Sequence, residues 1–141
     1  MAALILQEKL ESLRRCVARI EQRRADSAEL LASDVDRQDI VSLNLTRAVQ
    51  LCVDMALHLL AEEEGVAPQT MGEAFERLAE AKMIDEALCS RMKAAVGFRN
   101  LAVHSYRAID WAIVHEITHA GLKDFREFAA MMARQLQDDE R

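Results

Sequence analysis

Apolar residues recur at spacings of three and four along most of this chain, the period of amphipathic α-helices. Over residues 3–25, Leu6, Leu10, Leu13, Val17 and Ile20 form one stripe, with Glu8, Arg15, Arg19 and Arg23 outside it. Residues 25–33 carry a weaker pattern. Ser33 or Asp34 can cap a second long helix, with Asp36 in its first turn. That helix is predicted over about 35–63 and is the most buried, because only Asp54 and His58 are polar between Leu51 and Leu60. Gly65 is its expected C-terminal cap, and Pro68 marks a loop beyond it. Thr70 to Glu73 reads as a capping box that opens a short helix to about Lys82. Asp85 caps the next helix, which reaches into residues 97–106. Asp110 caps a last long helix, predicted to run unbroken to about Gln137 with Ile113, Ile117, Gly121, Phe125, Phe128 and Met132 on one face. The tail over 137–141 is expected to fray.

These elements predict an all-α fold, a single domain over residues 1–141 built as an up-and-down bundle of four to five helices. Composition agrees. One proline and four glycines leave few turns, and 51% hydrophobic residues suffice for a core. No apolar run approaches the ~18 residues of a membrane span, and the start is too charged for a secretory signal, so the expectation is a cytoplasmic protein without a membrane partner. Cys16, Cys52 and Cys89 are far apart and odd in number, which points to buried free thiols. A formal charge of -6 argues weakly against non-specific nucleic-acid binding.

Two polar features interrupt the apolar helices. In the second helix Asn44, Arg47, Asp54 and His58 lie near one face. Such a line is either an internal network, with Asp54 paired to His58 or Arg47, or the wall of a cleft or two-fold interface. The other feature is a window from Ala87 to Ile109 that holds no acid but contains Arg91, Lys93, Arg99 and Arg107, with His104. This is the pattern of a phosphate-binding patch, unless acids from other helices neutralise it in space. Arg99 and His104 are five residues apart. On an unbroken helix they point about 140° away from each other. An Arg–His site on one chain therefore needs the helix to end or bend between them; otherwise a second chain completes it.

The stretch "GFRNLAVHSY" at 97–106 resembles the R-x4-H-x-Y signature of the HepT toxins, a branch of the HEPN superfamily. The bare arginine–histidine spacing is weak, since 14 arginines and four histidines give about one match by chance. The resemblance is wider than the motif. "LNLTRAVQLCVDMALHLL" at 43–60 and "AFERLAEAKMIDEALCSRMKAAVGFRN" at 74–100 are similar to the family's second helix and central region. The resemblance implies a HEPN-like helical bundle that forms a two-fold dimer and cuts RNA without metal at a cleft between protomers. It further implies that Arg99 holds the phosphate, that His104 moves a proton as the ribose 2′-hydroxyl attacks, and that Asn100 supports them. Tyr106 falls on the tyrosine to which an MntA-like nucleotidyltransferase antitoxin transfers AMP. ATP and Mg would then belong to that partner, and cleavage would need no cofactor.

The residue types suit this chemistry. Histidine titrates near neutral pH, and arginine's planar fork matches phosphate oxygens. The sequence shows no convincing metal set; His115 and His119 sit one turn apart but lack an evident third ligand, and read as packed or solvated histidines. Two other readings remain open: a non-catalytic HEPN module that pairs with a nucleotidyltransferase or binds nucleotide, and a helical dimer in which the motif only packs helix ends.

Overall fold

The computed structural model describes residues 2–62, 65 and 67–139. Seven α-helices and one short 3₁₀ turn occur among them: α1 (Ala2–Arg23), α2 (Ala28–Ser33), α3 (Val35–Leu60), α4 (Met71–Glu80), α5 (Glu86–His104), the turn Tyr106–Ala108, α6 (Trp111–His119) and α7 (Leu122–Asp139).

The helix starts follow from local chemistry. Each N-cap side chain takes a hydrogen bond from an otherwise unpaired backbone N–H. Ser27 accepts from Leu30 N, Asp34 from Arg37 N, Thr70 from Glu73 N, Asp85 from Leu88 N and Asp110 from Ala112 N. Glu73 reaches back one residue further than the capping box predicts, to the backbone of Gln69. Lys82 closes α4 with a positive φ of 62°, while Lys82 N bonds Ala79 O and Met83 N bonds Leu78 O. That pairing is the Schellman motif, here with lysine where glycine is usual.

α3 is the hub, with α1, α2, α4, α5 and α7 packed around it. By length and composition it is apolar enough to cross a membrane, and 56% of its most apolar window is buried against the other helices. Its Val41, Leu45, Cys52 and Met55 are buried. They meet the α1 stripe of Leu6, Leu10, Leu13, Val17 and Ile20, all of it buried, in one continuous core. Phe75 of α4 and Phe128 of α7 pack edge to face at 5.8 Å. All three cysteines are buried and free.

Four expectations need correction. The weak segment before Asp34 forms a helix of its own, α2, which packs on α6. The second helix ends at Leu60 with Ala61 as its cap, ahead of Gly65, which has φ 131°; residue 63, the expected last residue, lies outside the described ones. The last long helix is two helices. At the break Gly121 N bonds back to Glu116 O, five residues earlier, and this widened turn leaves no room for a side chain: a Cβ on Gly121 would lie 2.7 Å from Ile117 O. The predicted face is therefore interrupted, and Ile113 is 57% exposed while Val114 and Thr118 face inward. Finally, α7 continues to Asp139 rather than fraying from 137; residues 140 and 141 lie outside the described ones. The bundle thus has more helices than the four to five expected, through α2 and the split at Gly121.

Candidate active site

α5 carries Arg99 and His104 of the motif, and it stays helical between them. After Gly97 there is no glycine or proline to interrupt the turns, and the last intrahelical bond runs from Ser105 N to Leu101 O. Arg99 and His104 therefore do not converge within one chain. Arg99 turns toward α3, and His104 is the exposed last residue of α5. Leu101 and Val103, beside it, are 42% and 49% exposed.

Arg99 is half-buried and held by amide oxygens. Its Nη1 donates to Asn100 Oδ1 at 3.2 Å, and its Nη2 donates to Gln50 Oε1 at 3.4 Å. Gln50 Nε2 in turn donates to Asp54 Oδ1 at 2.9 Å, and Lys9 of α1 donates to Asp54 Oδ2 at 3.4 Å. The chain of contacts fixes the direction of the guanidinium. It also places Asp54's charge opposite Lys9, so that Arg99 meets only neutral acceptors. Among the described residues no carboxylate pairs with Arg99. A guanidinium held this way keeps its full charge available to an anion.

Past Ser105 the chain makes the 3₁₀ turn, pinned by buried Ile109. Tyr106 lies at its start, 40% exposed. Its ring packs edge to face on Trp111 at 5.8 Å, and its hydroxyl donates to Asp39 Oδ1 at 3.0 Å. Burial is the main cause that raises the phenol above its ordinary pKa. The bond to Asp39 and that carboxylate's charge add to the rise, while the nearby Ser42 hydroxyl opposes it.

The basic window is partly neutralised. Arg91 pairs with Asp124 at 2.6 Å and Glu127 at 3.4 Å, and Lys93 pairs with Glu76. Only Arg99 and Arg107 of that window are without an ion-pair partner among the described residues. The polar line of the second helix also divides. Asn44 donates to the Ile40 carbonyl at 2.9 Å, and with Arg47 it lines a groove between α1 and α3. Asp54 pairs with Gln50 and Lys9 rather than with His58 or Arg47, and half-buried His58 joins neither. Gln50 and Asp39 were not singled out from the sequence. Gln50 had one signal, its position one turn before Asp54; Asp39 had none, because its partner is 67 residues away. His115 and His119 stack at 4.5 Å, and His119 Nε2 lies 2.9 Å from the Ala25 carbonyl oxygen, which occupies that nitrogen.

The sequence profile of the ribonuclease HepT-like family matches residues 7–132. The chain belongs to the ribonuclease HepT-like family. The mRNA nuclease HepT of Shewanella oneidensis is 34% identical over 124 residues, covering 88% of this chain and 92% of that protein. Among solved structures, the tri-AMPylated Shewanella oneidensis HEPN toxin in complex with its MNT antitoxin superposes with a TM-score of 0.86 at 32% identity, over 92% of this chain and 97% of that one. A toxin–antitoxin crystal structure with AMP-PNP is similar at a TM-score of 0.84 and 32% identity, over 91% of this chain and 97% of its counterpart. In this HepT-like chain the motif residues thus sit on a fold shared along almost the whole length.

Proposed function

We propose that this HepT-like ribonuclease is the toxin of a toxin–antitoxin pair and cuts RNA in the cytoplasm at a site assembled from two protomers. The observation that carries the reading is Arg99, fixed by Asn100 and Gln50 and unpaired with any carboxylate among the described residues. An anion is the partner such a group lacks. The straight course of α5 supports a composite site, because Arg99 of one protomer needs a histidine from elsewhere. The exposed Leu101 and Val103 next to His104 offer apolar surface for a second copy to cover.

In this mechanism a scissile phosphate binds Arg99. The adjacent ribose 2′-oxygen forms a bond to phosphorus, and its proton passes to His104 acting as base. The bond from phosphorus to the 5′-oxygen breaks, and that oxygen takes up a proton. The products are a 2′,3′-cyclic phosphate and a 5′-hydroxyl. Arg99 stabilises charge that develops on the non-bridging oxygens, and Asn100 keeps its fork in place. This route asks for an acid–base group and a fixed cation, which the motif provides.

Tyr106 is the expected control point. An MNT-type partner holding ATP and Mg would transfer AMP to the Tyr106 hydroxyl, forming the Tyr106 O–P bond and releasing pyrophosphate. The adduct would place an anion and a bulky nucleoside beside the motif and displace the hydroxyl from Asp39.

The test is RNA cleavage in EDTA by protein purified without the partner, its intact mass checked for modification, beside His104→Ala. The wild type is expected to leave 2′,3′-cyclic ends. The variant is expected to lose about 10²–10⁴-fold in rate while keeping fold and dimer. No cleavage of total RNA or tRNA by unmodified, dimeric wild type refutes the nuclease mechanism and selects a binding module that pairs with a nucleotidyltransferase or holds nucleotide.

A further inference from the structure

Five of the 14 arginines in this acidic chain pair with acids among the described residues. Arg14 pairs with Glu11, Arg37 with Asp34, Arg77 with Glu73, Arg91 with Asp124 and Glu127, and Arg126 with Glu21. The groove between α1 and α3 is different. Arg15 and Arg19 stand one turn apart on α1 and face Arg47 of α3 across a hollow of about 730 Å³, whose polar lining is completed by Ser12, Asn44 and Gln50. No carboxylate lines it. None of the three arginines has an ion-pair partner among the described residues; Arg15 donates to the Ser12 hydroxyl at 3.0 Å. Cys16 lines the same hollow. Burial raises its thiol pKa, and Arg47 and then Arg15 pull it the other way. Holding three like charges together costs energy that a bound polyanion would offset.

The groove also has a direction. Gln50 lines it and accepts the hydrogen bond from Arg99. One wall residue of the hollow thus touches the arginine assigned to the scissile phosphate.

We propose that the α1–α3 groove is the track for the phosphodiester backbone of single-stranded RNA flanking the cleavage point, with Arg15, Arg19 and Arg47 each binding a phosphate. The proposal rests on the ribonuclease reading and extends it from one phosphate to a strand. No aromatic side chain lines the groove, so bases are not stacked there. The track reads the backbone and not the sequence.

The experiment compares wild type with the triple variant Arg15→Gln/Arg19→Gln/Arg47→Gln on two substrates, a dinucleoside monophosphate and a 20-nucleotide unstructured RNA. All three arginines are exposed, so the variant is expected to fold. On the long RNA its KM is expected to rise about tenfold or more with kcat unchanged. The slope of log kcat/KM against log salt should lessen by about 2, from ~0.7 per lost phosphate contact. On the dinucleotide, which fills the site without entering the groove, both proteins should act equally. Arg47→Gln alone should lessen the slope by about 0.7. Equal KM and equal slope on the long RNA overturn the track while leaving the ribonuclease reading intact. An equal loss on both substrates also overturns it, because the arginines would then act at the chemical step or the dimer. If wild type cuts neither substrate, the ribonuclease reading itself fails.

Discussion

Gly121→Ala tests the account of the break between α6 and α7. An alanine Cβ there would lie 2.7 Å from the carbonyl oxygen and 2.9 Å from the Cα of Ile117, where ordinary contact begins near 3.4 Å. Both neighbours are backbone, so no side chain can swing aside; the last turn of α6 must move. Forcing a methyl group into such a space costs about 1–3 kcal/mol. Against that, alanine restricts the unfolded chain and gains about 0.4–1 kcal/mol. A net loss of about 1–2 kcal/mol remains. For a chain of this length it lowers Tm by roughly 3–7 °C. Gly97→Ala is the matched control, because a Cβ at Gly97, inside α5, meets nothing within 4 Å. It is expected to gain about 0.5–1 kcal/mol and raise Tm. Thermal unfolding followed by circular dichroism, at equal protein concentration, compares the three. If Gly121→Ala is as stable as wild type, or gains as much as Gly97→Ala, the glycine is not required at the junction and the reason given for the break is wrong.

Three further outcomes follow from particular contacts. Lys82→Gly should stabilise by about 0.5–1 kcal/mol, since lysine is held at φ 62° without a glycine's freedom; an unchanged or lower denaturant midpoint contradicts this. Tyr106 should ionise above its ordinary range when followed by absorbance at 295 nm, with Asp39→Asn bringing the midpoint only partly back, because burial is the larger cause. A raised pKa means the folded state keeps its proton longer than the unfolded one, so this contribution to stability is complete below the ordinary tyrosine range and fades as pH climbs through the folded value; a midpoint at or below the free-tyrosine value rejects it. Arg99→Lys should cut RNA at least ~10²-fold more slowly with an unchanged fold, as one ammonium cannot hold both Asn100 and Gln50 and still offer a fork to phosphate; wild-type cleavage by that variant removes Arg99 from its assigned role.

What could be read from the sequence divides along the range of the interaction responsible. Asp34, Thr70, Asp85 and Asp110 were legible as caps because a cap and its N–H are two or three residues apart. The stripe of α1 was legible because one helix face needs only its own period. The break at Gly121 was not. The apolar period runs through it, one glycine inside such a pattern is no stop signal by itself, and the two segments part toward different neighbours: α6 packs mainly on α2 and α7 mainly on α1. The same limit governs the site. The motif stood out as a string, and its straight helix let the angle between Arg99 and His104 be worked out beforehand. The partners of Arg91 and Lys93 did not stand out, because Asp124, Glu127 and Glu76 are distant in sequence. Arg15 and Arg19 were visible as the outer face of α1, but nothing local says that Arg47 stands opposite them.

The central position of α3 has a consequence for synthesis. Its residues leave the ribosome before those of α4, α5 or α7 have emerged, yet those later helices provide much of its cover. For that interval a segment apolar enough to pass for a membrane span is exposed to water, with only α1 and α2 to shield it. Nascent chains arrested at about residue 100, where α3 has cleared the exit tunnel, should therefore be bound by holding chaperones, or captured by membranes, more strongly than full-length chains released from the ribosome. The order in which this bundle is translated makes its central helix the one most in need of escort.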